Sequence, residues 1–330
     1  MQRGMVIDAH THPVGPRMDK GTVSNYGVQT VEYGNKVEPG RIEKMIELMD
    51  KNHVDKAIGT AAIGLTAASD LNERIIQVAR DHGDKFPAVM IGFNVPDDPN
   101  DFNGETAANE VDSLLDLPEV KGIGEWSLTA GAGMEDWPSL WAKYRPILDV
   151  VADHKKAILF HTGTAPYTKP LPRPATRNRA GNTSRRRLWF YNPMFVDDIA
   201  CEYPEVPLII GHMGVQGFFY FGTYADMALM TAAKNPNVYL ETSSVPFEVL
   251  ERAVCDPAIG PEKLLFGTDT PAPYSYYKYK GEFYPSYGKS PCKFYVDHCK
   301  YDLANIERLS IPDREKELIL GGNISRILGL

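Results

Sequence analysis

The sequence predicts an α/β fold, a (β/α)8 barrel, and three observations support this prediction. Eight short apolar segments recur along the 330 residues, amphipathic segments separate them, and polar residues stand at their carboxyl ends. Short segments rich in Val, Ile, Leu and Phe and bounded by Gly or Pro are typical of strands buried on both faces of a parallel sheet. Repeated alternation of strand and helix favours a barrel.

The predicted strands are spaced along the chain so that a helix fits between most of them. They occupy residues 5–12, 55–62, 86–95, 120–128, 157–163, 207–214, 238–244 and 264–271. A doubly wound open sheet is the alternative fold. It usually has fewer strands and often a Gly-rich phosphate turn, and no GxGxxG follows the first strand of this chain.

Apolar residues between the strands repeat with the spacing of amphipathic helices. One such segment places Leu71, Ile75, Val78 and Ala79 on one face and is followed by a Gly. The segments with this pattern are 40–52, 71–83, 137–155, 226–235 and 246–254, and residues 317–330 predict closing helices.

No stretch rich in Ser, Gly or charge divides the chain, so residues 1–330 are predicted to form a single domain. Three longer segments interrupt the alternation, at 13–39, 164–194 and 271–294. Each of them follows a predicted strand. In a barrel such segments lie over the carboxyl ends of the strands, where enzymes of this fold keep their active sites.

Charge and composition disfavour several classes of protein. The net charge of −8 disfavours a nucleic-acid-binding protein, whose surface is normally basic. No apolar run approaches the roughly 18 residues that a membrane span needs, and the start "MQRGMVIDAH" turns polar too early for a secretory signal. Cys201, Cys255, Cys292 and Cys299 form no CxxC pair, which indicates reduced thiols without a role. We expect a cytoplasmic protein with a small-molecule substrate, either a monomer or a homo-oligomer.

Two histidines stand one residue apart at the end of the first predicted strand. In a strand, residues i and i+2 point to the same side, so the imidazoles of His10 and His12 are expected side by side. A stiff strand can hold a metal ion in this way when other elements supply the remaining ligands.

Further polar residues stand at the carboxyl ends of other predicted strands. They are Glu125 on the fourth, His161 on the fifth, His212 on the sixth and Asp269 on the eighth. A parallel barrel brings these ends to one face. Imidazoles and carboxylates are ligands for zinc, manganese and iron, so their convergence predicts a metal site. The other histidines are expected at the surface or at helix ends; they are His53, His82, His154 and His298.

Several motifs resemble those of a known family. "DAHTH", "FHTG", "GHMG", "FGTDTP" and the closing "GNISRILGL" are similar to the amidohydrolase superfamily, and most similar to its amidohydrolase-2 branch. That branch includes metal-dependent hydrolases and non-oxidative decarboxylases of the aminocarboxymuconate-semialdehyde type. The resemblance implies one divalent metal, with zinc favoured and manganese or iron as alternatives. The ligands that it implies are His10, His12, His161 and Asp269. It also places His212 beside the reacting water or the substrate.

Glu125 leaves the number of ions open. A "GIGE" strand is also similar to the TatD-type nucleases, in which a glutamate at this place contacts two metals. In two-metal members of the superfamily, the histidines of strands 5 and 6 bind the second ion. Other members carry a carboxylated Lys in this region, and this chain has no Lys at that strand end. One ion is favoured; Glu125 is a ligand of a second ion in the alternative, or a barrel carboxylate that pairs with a neighbour.

A metal in this pocket predicts hydrolysis. A divalent ion lowers the pKa of a coordinated water to about 7 and polarises the carbonyl under attack. Asp269 can take the proton of the water and pass it to the leaving group, and His212 can hydrogen-bond the developing oxyanion. The predicted function is hydrolysis of an ester, lactone or amide. The alternatives are non-oxidative decarboxylation of an unsaturated or aromatic acid, a TatD-like nuclease, which the acidic charge disfavours, and a metal-binding barrel without turnover.

Two insertions carry residues that suit a carboxylated or aromatic substrate. Residues 173–187 hold six arginines, and Arg binds carboxylates through paired hydrogen bonds. Arg173 and Arg177 are the candidate substrate contacts. The run 185–187 is expected in solvent or at a subunit contact, and the whole cluster can also be a solvated loop. The Tyr-rich segment 274–295 predicts either a lid over an apolar ligand or a packing or dimer segment.

Overall fold

The barrel predicted from the sequence is present. The computed structural model describes residues 4–14, 41–61, 63, 70–96, 101–127, 137–163, 192–215, 223–270, 275–279, 282–285, 294–295 and 298–330. Within these ranges an 8-stranded sheet has its strands in the same order in space as along the chain. Every pair of neighbours in it is parallel. This is the topology of a (β/α)8 barrel.

The barrel strands lie within the predicted apolar segments, and each is shorter than its segment. They are β1 (Ile7–Thr11), β2 (Lys56–Thr60), β3 (Ala88–Ile91), β4 (Val120–Ser127), β5 (Ala157–His161), β6 (Leu208–Gly211), β7 (Val238–Glu241) and β8 (Leu264–Leu265).

Backbone hydrogen bonds between β1 and the residues that follow β8 close the barrel. The amide of Asp269 donates to the carbonyl of His10 at 2.8 Å. The amide of His12 donates to the carbonyl of Thr270 at 2.7 Å. Residues 266–270 therefore complete the eighth position of the barrel although β8 itself is short.

Helices connect the strands. They are α1 (Arg41–Lys51), α2 (Leu71–Asp81), α3 (Gly104–Leu115), α4 (Trp137–Asp153), α5 (Phe195–Glu202), α6 (Thr223–Lys234), α7 (Phe247–Cys255), α8 (His298–Glu307), α9 (Asp313–Glu317) and α10 (Asn323–Leu328). The predicted apolar face of α2 is buried. The sequence pattern does not single out α3, α5, α8 or α9. A local signal for α3 exists, because the side chain of Asn103 caps it by accepting from the amide of Thr106 at 3.2 Å.

Two layers of apolar side chains stabilise the barrel. Alternate residues of a strand serve the two layers, as Ile158 and Phe160 of β5 pack in the outer cluster and Leu159 packs in the inner one. Leu159 is fully buried. Truncating such a side chain to alanine costs about 2–5 kcal/mol.

The last helix closes the barrel at the amino ends of its strands. Ile324 and Leu328 of α10 belong to the inner cluster. The side-chain amide of Asn323 donates to the carbonyl of Leu264, the first residue of β8, at 2.9 Å. This end is blocked, so the site must lie at the opposite, carboxyl end.

The insertion after β8 contains a second, smaller sheet. In it β9 (Ser275–Tyr279) pairs antiparallel with β10 (Glu282–Pro285) and β11 (Phe294–Tyr295). The Tyr-rich segment 274–295 thus includes strands, and its role as a lid or a packing segment stays a prediction. Most of the insertions at 13–39 and 164–194 lies outside the described residues. Among the described helices, none has the length and apolar character of a membrane span.

Candidate metal centre

The carboxyl ends of the strands bring the predicted site residues to one place. They are His10 in β1, His12 directly after it, Glu125 in β4, His161 in β5, His212 in the turn after β6 and Asp269 in the segment after β8. All are buried except His12, which is partly exposed.

Four of these residues form what we call the ligand group. Its members offer ligand atoms within 4.8 Å of one another and are His10, His12, Glu125 and Asp269. Nε2 of His12 lies 3.2 Å from Nε2 of His10 and 3.0 Å from Oδ1 of Asp269. Oε2 of Glu125 lies 3.5 Å from Nε2 of His12 and 3.7 Å from Nε2 of His10. Two imidazoles and two carboxylates are a donor set that fits zinc or manganese.

The hydrogen bond on the far side of His12 orients its ring for a metal. Nδ1 of His12 lies 3.1 Å from the carbonyl oxygen of Thr60. A carbonyl only accepts, so Nδ1 carries the proton. Nε2 of the neutral ring therefore offers its lone pair to the ligand group, as a metal ligand must.

Buried charges balance one another in the ligand group. Burial lowers the pKa of His12, but hydrogen bonds to Asp269 and Glu125 outweigh burial and raise it to about 9. Burial raises the pKa of Asp269, but the hydrogen bond from His12 and the charge of His10 lower it to about 2. Burial also raises the pKa of Glu125, but the charges of His161 and His10 hold it well below its usual range. These acids need positive charge beside them, and a divalent cation can supply it in place of protons.

His161 and His212 contact the other oxygen of Glu125. Nδ1 of His161 lies 2.5 Å, and Nε2 of His212 3.1 Å, from Oε1 of Glu125. The three residues form a second group of potential ligands that shares Glu125 with the first. The sequence predicts His161 as a ligand together with His10, His12 and Asp269. In the structure His161 belongs to the second group and contacts Glu125, and its role as a metal ligand stays a prediction.

The backbone bends sharply where the strands end at the site. His212, Met213, Ser244 and Asp269 have φ angles between 47° and 60°. Such left-handed conformations cost a non-glycine residue about 1–3 kcal/mol and cluster at functional sites. At His212 and Asp269 the strained residue itself carries a site side chain, so the surrounding structure must hold it in place.

Asp8 ties β1 to the segment that carries Asp269. Its carboxylate accepts from the amide of His10 at 3.1 Å and from the hydroxyl and amide of Thr268 at 2.6 and 3.1 Å. Burial raises the pKa of Asp8 to about 7. Because Thr268 precedes Asp269, these bonds support the position of the Asp269 carboxylate relative to β1.

Glu241 is a site residue that the sequence analysis missed. It ends β7, is fully buried and accepts from Nδ1 of His10 at 3.1 Å. The hydroxyl of Ser243 lies 2.9 Å from the same carboxylate and 2.8 Å from Nδ1 of His212. The signal was present in "VYLETSS", since Glu241 is a polar residue at the end of an apolar strand, like the other site residues.

The remaining histidines behave as predicted where they are described. His53 is exposed, and His82 is the capping residue after the last turn of α2. His154 pairs with Asp112 at 2.7 Å near the surface. His298 begins α8, and its side chain lies outside the described residues.

The predicted substrate contacts and the cysteines complete the comparison with the sequence. Arg173 and Arg177 lie outside the described residues. Cys201 and Cys255 are exposed free thiols, and Cys299 is a buried one. The substrate contacts assigned to the two arginines stay a prediction.

The chain is similar over its length to several solved structures. A 5-carboxyvanillate decarboxylase from Sphingomonas paucimobilis is 17% identical, with a TM-score of 0.56 and 99% of each chain covered. An amidohydrolase from Burkholderia multivorans with bound zinc is 15% identical, with a TM-score of 0.61 and 99% of each chain covered. A dihydroxybenzoic acid decarboxylase from Polaromonas sp. JS666, with bound manganese and the inhibitor 2-nitroresorcinol, is 15% identical. Its TM-score is 0.53, and the match covers 100% of this chain and 98% of that one. At these identities the similarity supports the barrel fold.

Family membership rests on the sequence. No curated protein matches the chain. The model of the amidohydrolase family, of the amidohydrolase-2 type, matches residues 7–330. This range includes every residue of the ligand group. The chain therefore belongs to the amidohydrolase family.

Proposed function

We propose that the chain is a divalent-metal-dependent hydrolase that cleaves an ester, lactone or amide bond of a small substrate. The observation that carries the proposal is the ligand group, whose ligand atoms lie within 4.8 Å of one another. It stands at the carboxyl end of a (β/α)8 barrel, where enzymes of this fold keep their active sites. The amidohydrolase from Burkholderia multivorans carries zinc, which supports zinc as the ion.

The ligand group fits one divalent ion. Its imidazoles offer nitrogen and its carboxylates offer oxygen, a mixture that zinc accepts and that manganese and iron also accept. When bound, the ion lowers the pKa of a coordinated water to about 7 and polarises a substrate carbonyl. We favour one ion over two because His161 and His212 already engage Oε1 of Glu125.

Asp269 is the proposed proton acceptor. Its lowered pKa means that the carboxylate is ionised at neutral pH, as a proton acceptor must be. Its place in the ligand group would let it take a proton from the attacking water and pass it to the leaving group. His212 is the proposed donor to the oxyanion. Burial lowers its pKa, but the hydrogen bond to Glu125 and the charge of Glu125 raise it above its usual value. A protonated Nε2 can then donate to negative charge that develops on the substrate.

A non-oxidative decarboxylase is the second candidate function. Two of the similar solved structures are decarboxylases of aromatic acids, which favours this reaction as much as hydrolysis. The same ligand group would then hold a carboxylated substrate. His212, with its raised pKa, would deliver the proton to the carbon that loses CO2.

One experiment separates the two candidates. The zinc-loaded and manganese-loaded chain is incubated with esters, lactones and amides of small acids, and separately with dihydroxybenzoic acids and 5-carboxyvanillate. Acid release and CO2 are measured, with D269N as the control for background reaction. Acid release without CO2 supports hydrolysis, and CO2 from an aromatic acid supports decarboxylation. No reaction across the panel with metal bound contradicts both and favours a metal-binding barrel without turnover.

We propose further that the substrate carries a carboxylate. The support comes from the sequence, since Arg173 and Arg177 follow β5 at the carboxyl end of the barrel and Arg binds carboxylates through paired hydrogen bonds. Arg173→Met or Arg177→Met is expected to raise KM for an anionic substrate far more than for its neutral analogue. Arg186→Met, in the run expected in solvent, is the matched control. Equal effects on both substrates, or none, would contradict the proposal.

A further inference from the structure

We propose that Glu241 is a positioning residue that fixes the protonation of two histidines, His10 and His212, so that both act through Nε2. The expected effect on metal binding rests on the proposed metal site. Its observations, however, are hydrogen bonds on the outer side of the two rings, away from the ligand group.

Four hydrogen bonds converge on the carboxylate of Glu241. Oε2 accepts from Nδ1 of His10 at 3.1 Å, from the amide of His212 at 3.0 Å and from the hydroxyl of Ser243 at 2.9 Å. Oε1 accepts from the amide of Ser243 at 2.5 Å. Glu241 is 0% exposed, so these bonds are shielded from bulk solvent. An ionised carboxylate only accepts, and three of the four donors share Oε2, the oxygen that faces His10.

His10, His212 and Glu241 lie close enough together to be considered as metal ligands themselves. The donors that surround the Glu241 carboxylate argue against a role for Glu241 as a metal ligand. Two of the four donors are backbone amides, of His212 and Ser243, which cannot give up their protons to a cation. Glu241 therefore acts on the ligand group from behind and does not join it.

The bond to Glu241 decides which nitrogen of His10 can bind a metal. Because the carboxylate only accepts, Nδ1 of His10 donates and carries a proton. Nε2 of the neutral ring then holds the lone pair, and it lies 3.2 Å from Nε2 of His12. A carboxylate behind a metal-bound histidine also raises the basicity of the ligand.

Ser243 extends the same control to His212. Its hydroxyl oxygen lies 2.9 Å from Oε2 of Glu241 and 2.8 Å from Nδ1 of His212. The hydroxyl has one proton, and the carboxylate cannot donate, so that proton points to Glu241. The hydroxyl oxygen must then accept from Nδ1 of His212. Nε2 is left as the nitrogen that can exchange a proton with the substrate, 3.1 Å from Oε1 of Glu125.

The neighbouring strand position is shaped to admit the Glu241 carboxylate. Gly267 lies in the segment after β8, beside β7. A Cβ at this position would stand 2.2 Å from Oε1 of Glu241, closer than any real contact. The glycine therefore keeps open the space that the carboxylate occupies.

The first test compares zinc affinity, measured by competition with a chromophoric chelator, in three variants. Glu241→Gln keeps the size of the side chain but removes the negative charge behind His10. If its oxygen takes the place of Oε2, its NH2 group faces the amide of Ser243, a second donor, so zinc affinity should fall about 10- to 100-fold. Ser243→Ala removes the branch to His212 and one of the four donors to Glu241, but it leaves the bond from Nδ1 of His10, so zinc affinity should stay near wild type. Asp302→Asn is the matched control, since Asp302 is also a buried carboxylate at this end of the barrel and accepts from the amide of Ser244. Equal zinc affinity in the Glu241 and Asp302 variants would overturn the inference.

The second test reads the protons directly, by NMR of protein labelled with nitrogen-15 histidine. His212→Gln assigns the signals of His212. Nδ1 of His212 should be protonated in both the zinc-loaded and the metal-free protein, and Ser243→Ala should shift the neutral ring toward the Nε2–H form. An unprotonated Nδ1 in the wild type would overturn the inference. This measurement needs no ion, so failure of the wild type to bind zinc contradicts the proposed function alone.

Discussion

Nε2 of His10 and Nε2 of His12 lie 3.2 Å apart at the mouth of the barrel. Each ring has an acceptor behind its Nδ1, the carboxylate of Glu241 for His10 and the carbonyl of Thr60 for His12. In their neutral forms the rings would present two lone pairs to each other. Such an arrangement is stable when a proton or a metal cation lies beside both nitrogens.

Replacing both histidines, in the variant His10→Ala plus His12→Ala, is expected to abolish metal retention because both nitrogen donors of the ligand group are lost. Metal content after dialysis against a mild chelator measures the effect. His154→Ala, which removes a histidine paired with Asp112 near the surface, should retain the metal. Wild-type metal content in the double variant would rule out this site.

Asp269→Asn keeps the size of the side chain and one oxygen, but it removes the proton acceptor. Turnover should drop by roughly 10²–10⁴-fold, the usual contribution of a general base. Part of the bound metal should remain, because His10, His12 and Glu125 are unchanged. Measuring kcat and metal content in the same preparation separates the loss of the proton acceptor from the loss of metal. Near-normal kcat would transfer the role of proton acceptor to His212 or Glu125.

The metal-free protein should lose stability as the pH rises from neutral to alkaline. The pKa of His12 is raised from 6.5 to about 9, so its stabilising contribution is complete below 6.5 and is lost as the pH rises through 9. The pKa of Asp8 is raised from 3.8 to about 7, so its contribution is lost as the pH rises through 7. Asp269, with a pKa lowered to about 2, loses its contribution only as the pH falls through 2.

Urea unfolding in the presence of a chelator, between about pH 6 and pH 9, tests this dependence. His12→Asn should flatten the fall in the free energy of unfolding. The extra free energy of unfolding that saturating zinc provides should instead increase with pH. Metal ligands must be deprotonated to bind, so zinc binding strengthens as the pH rises. A metal-free stability that rises from neutral to alkaline pH would contradict the assigned charges.

Gly267→Ala should weaken metal binding although position 267 carries no ligand. The added Cβ would stand 2.2 Å from Oε1 of Glu241, so the carboxylate must move and its bond to His10 must lengthen. Gly322→Ala is the control, because its Cβ would meet nothing nearer than 3.3 Å. Zinc affinity is measured in both variants and should fall only in Gly267→Ala. Unchanged affinity in Gly267→Ala would show that the carboxylate has room to move without consequence.

The barrel was predictable because its strands are buried on both faces and read as continuous apolar segments. The short β8 shows where this signal ends. Residues 266–270 hydrogen-bond to β1 through an irregular backbone, and Asp269 has a φ of 55°. The antiparallel strands within 274–295 were also not predicted, since a Tyr-rich composition suits a strand, a lid and an interface alike.

The sequence pattern was sufficient to predict which residues come together at the site. It was not sufficient to predict which of their atoms are in contact. Strand ends place Glu125 and His161 at the same mouth. The pattern cannot show that the glutamate carboxylate lies between His161 and the pair formed by His10 and His12. The end of the β7 segment marks Glu241 as a candidate in the same way as the other site residues. The pattern does not show that its carboxylate contacts His10, because that contact depends on how the strands are arranged in the folded barrel.

Anomalous diffraction at the metal absorption edge, from crystals of the zinc-loaded or manganese-loaded chain, locates the ion and its ligands. We expect one anomalous peak at the carboxyl end of the barrel. For zinc it should lie about 2.0–2.2 Å from Nε2 of His10, from Nε2 of His12 and from a carboxylate oxygen of Asp269 or Glu125. A protein that retains its ion in solution but shows its peak elsewhere, or shows no peak among these four residues, would contradict the proposed metal site.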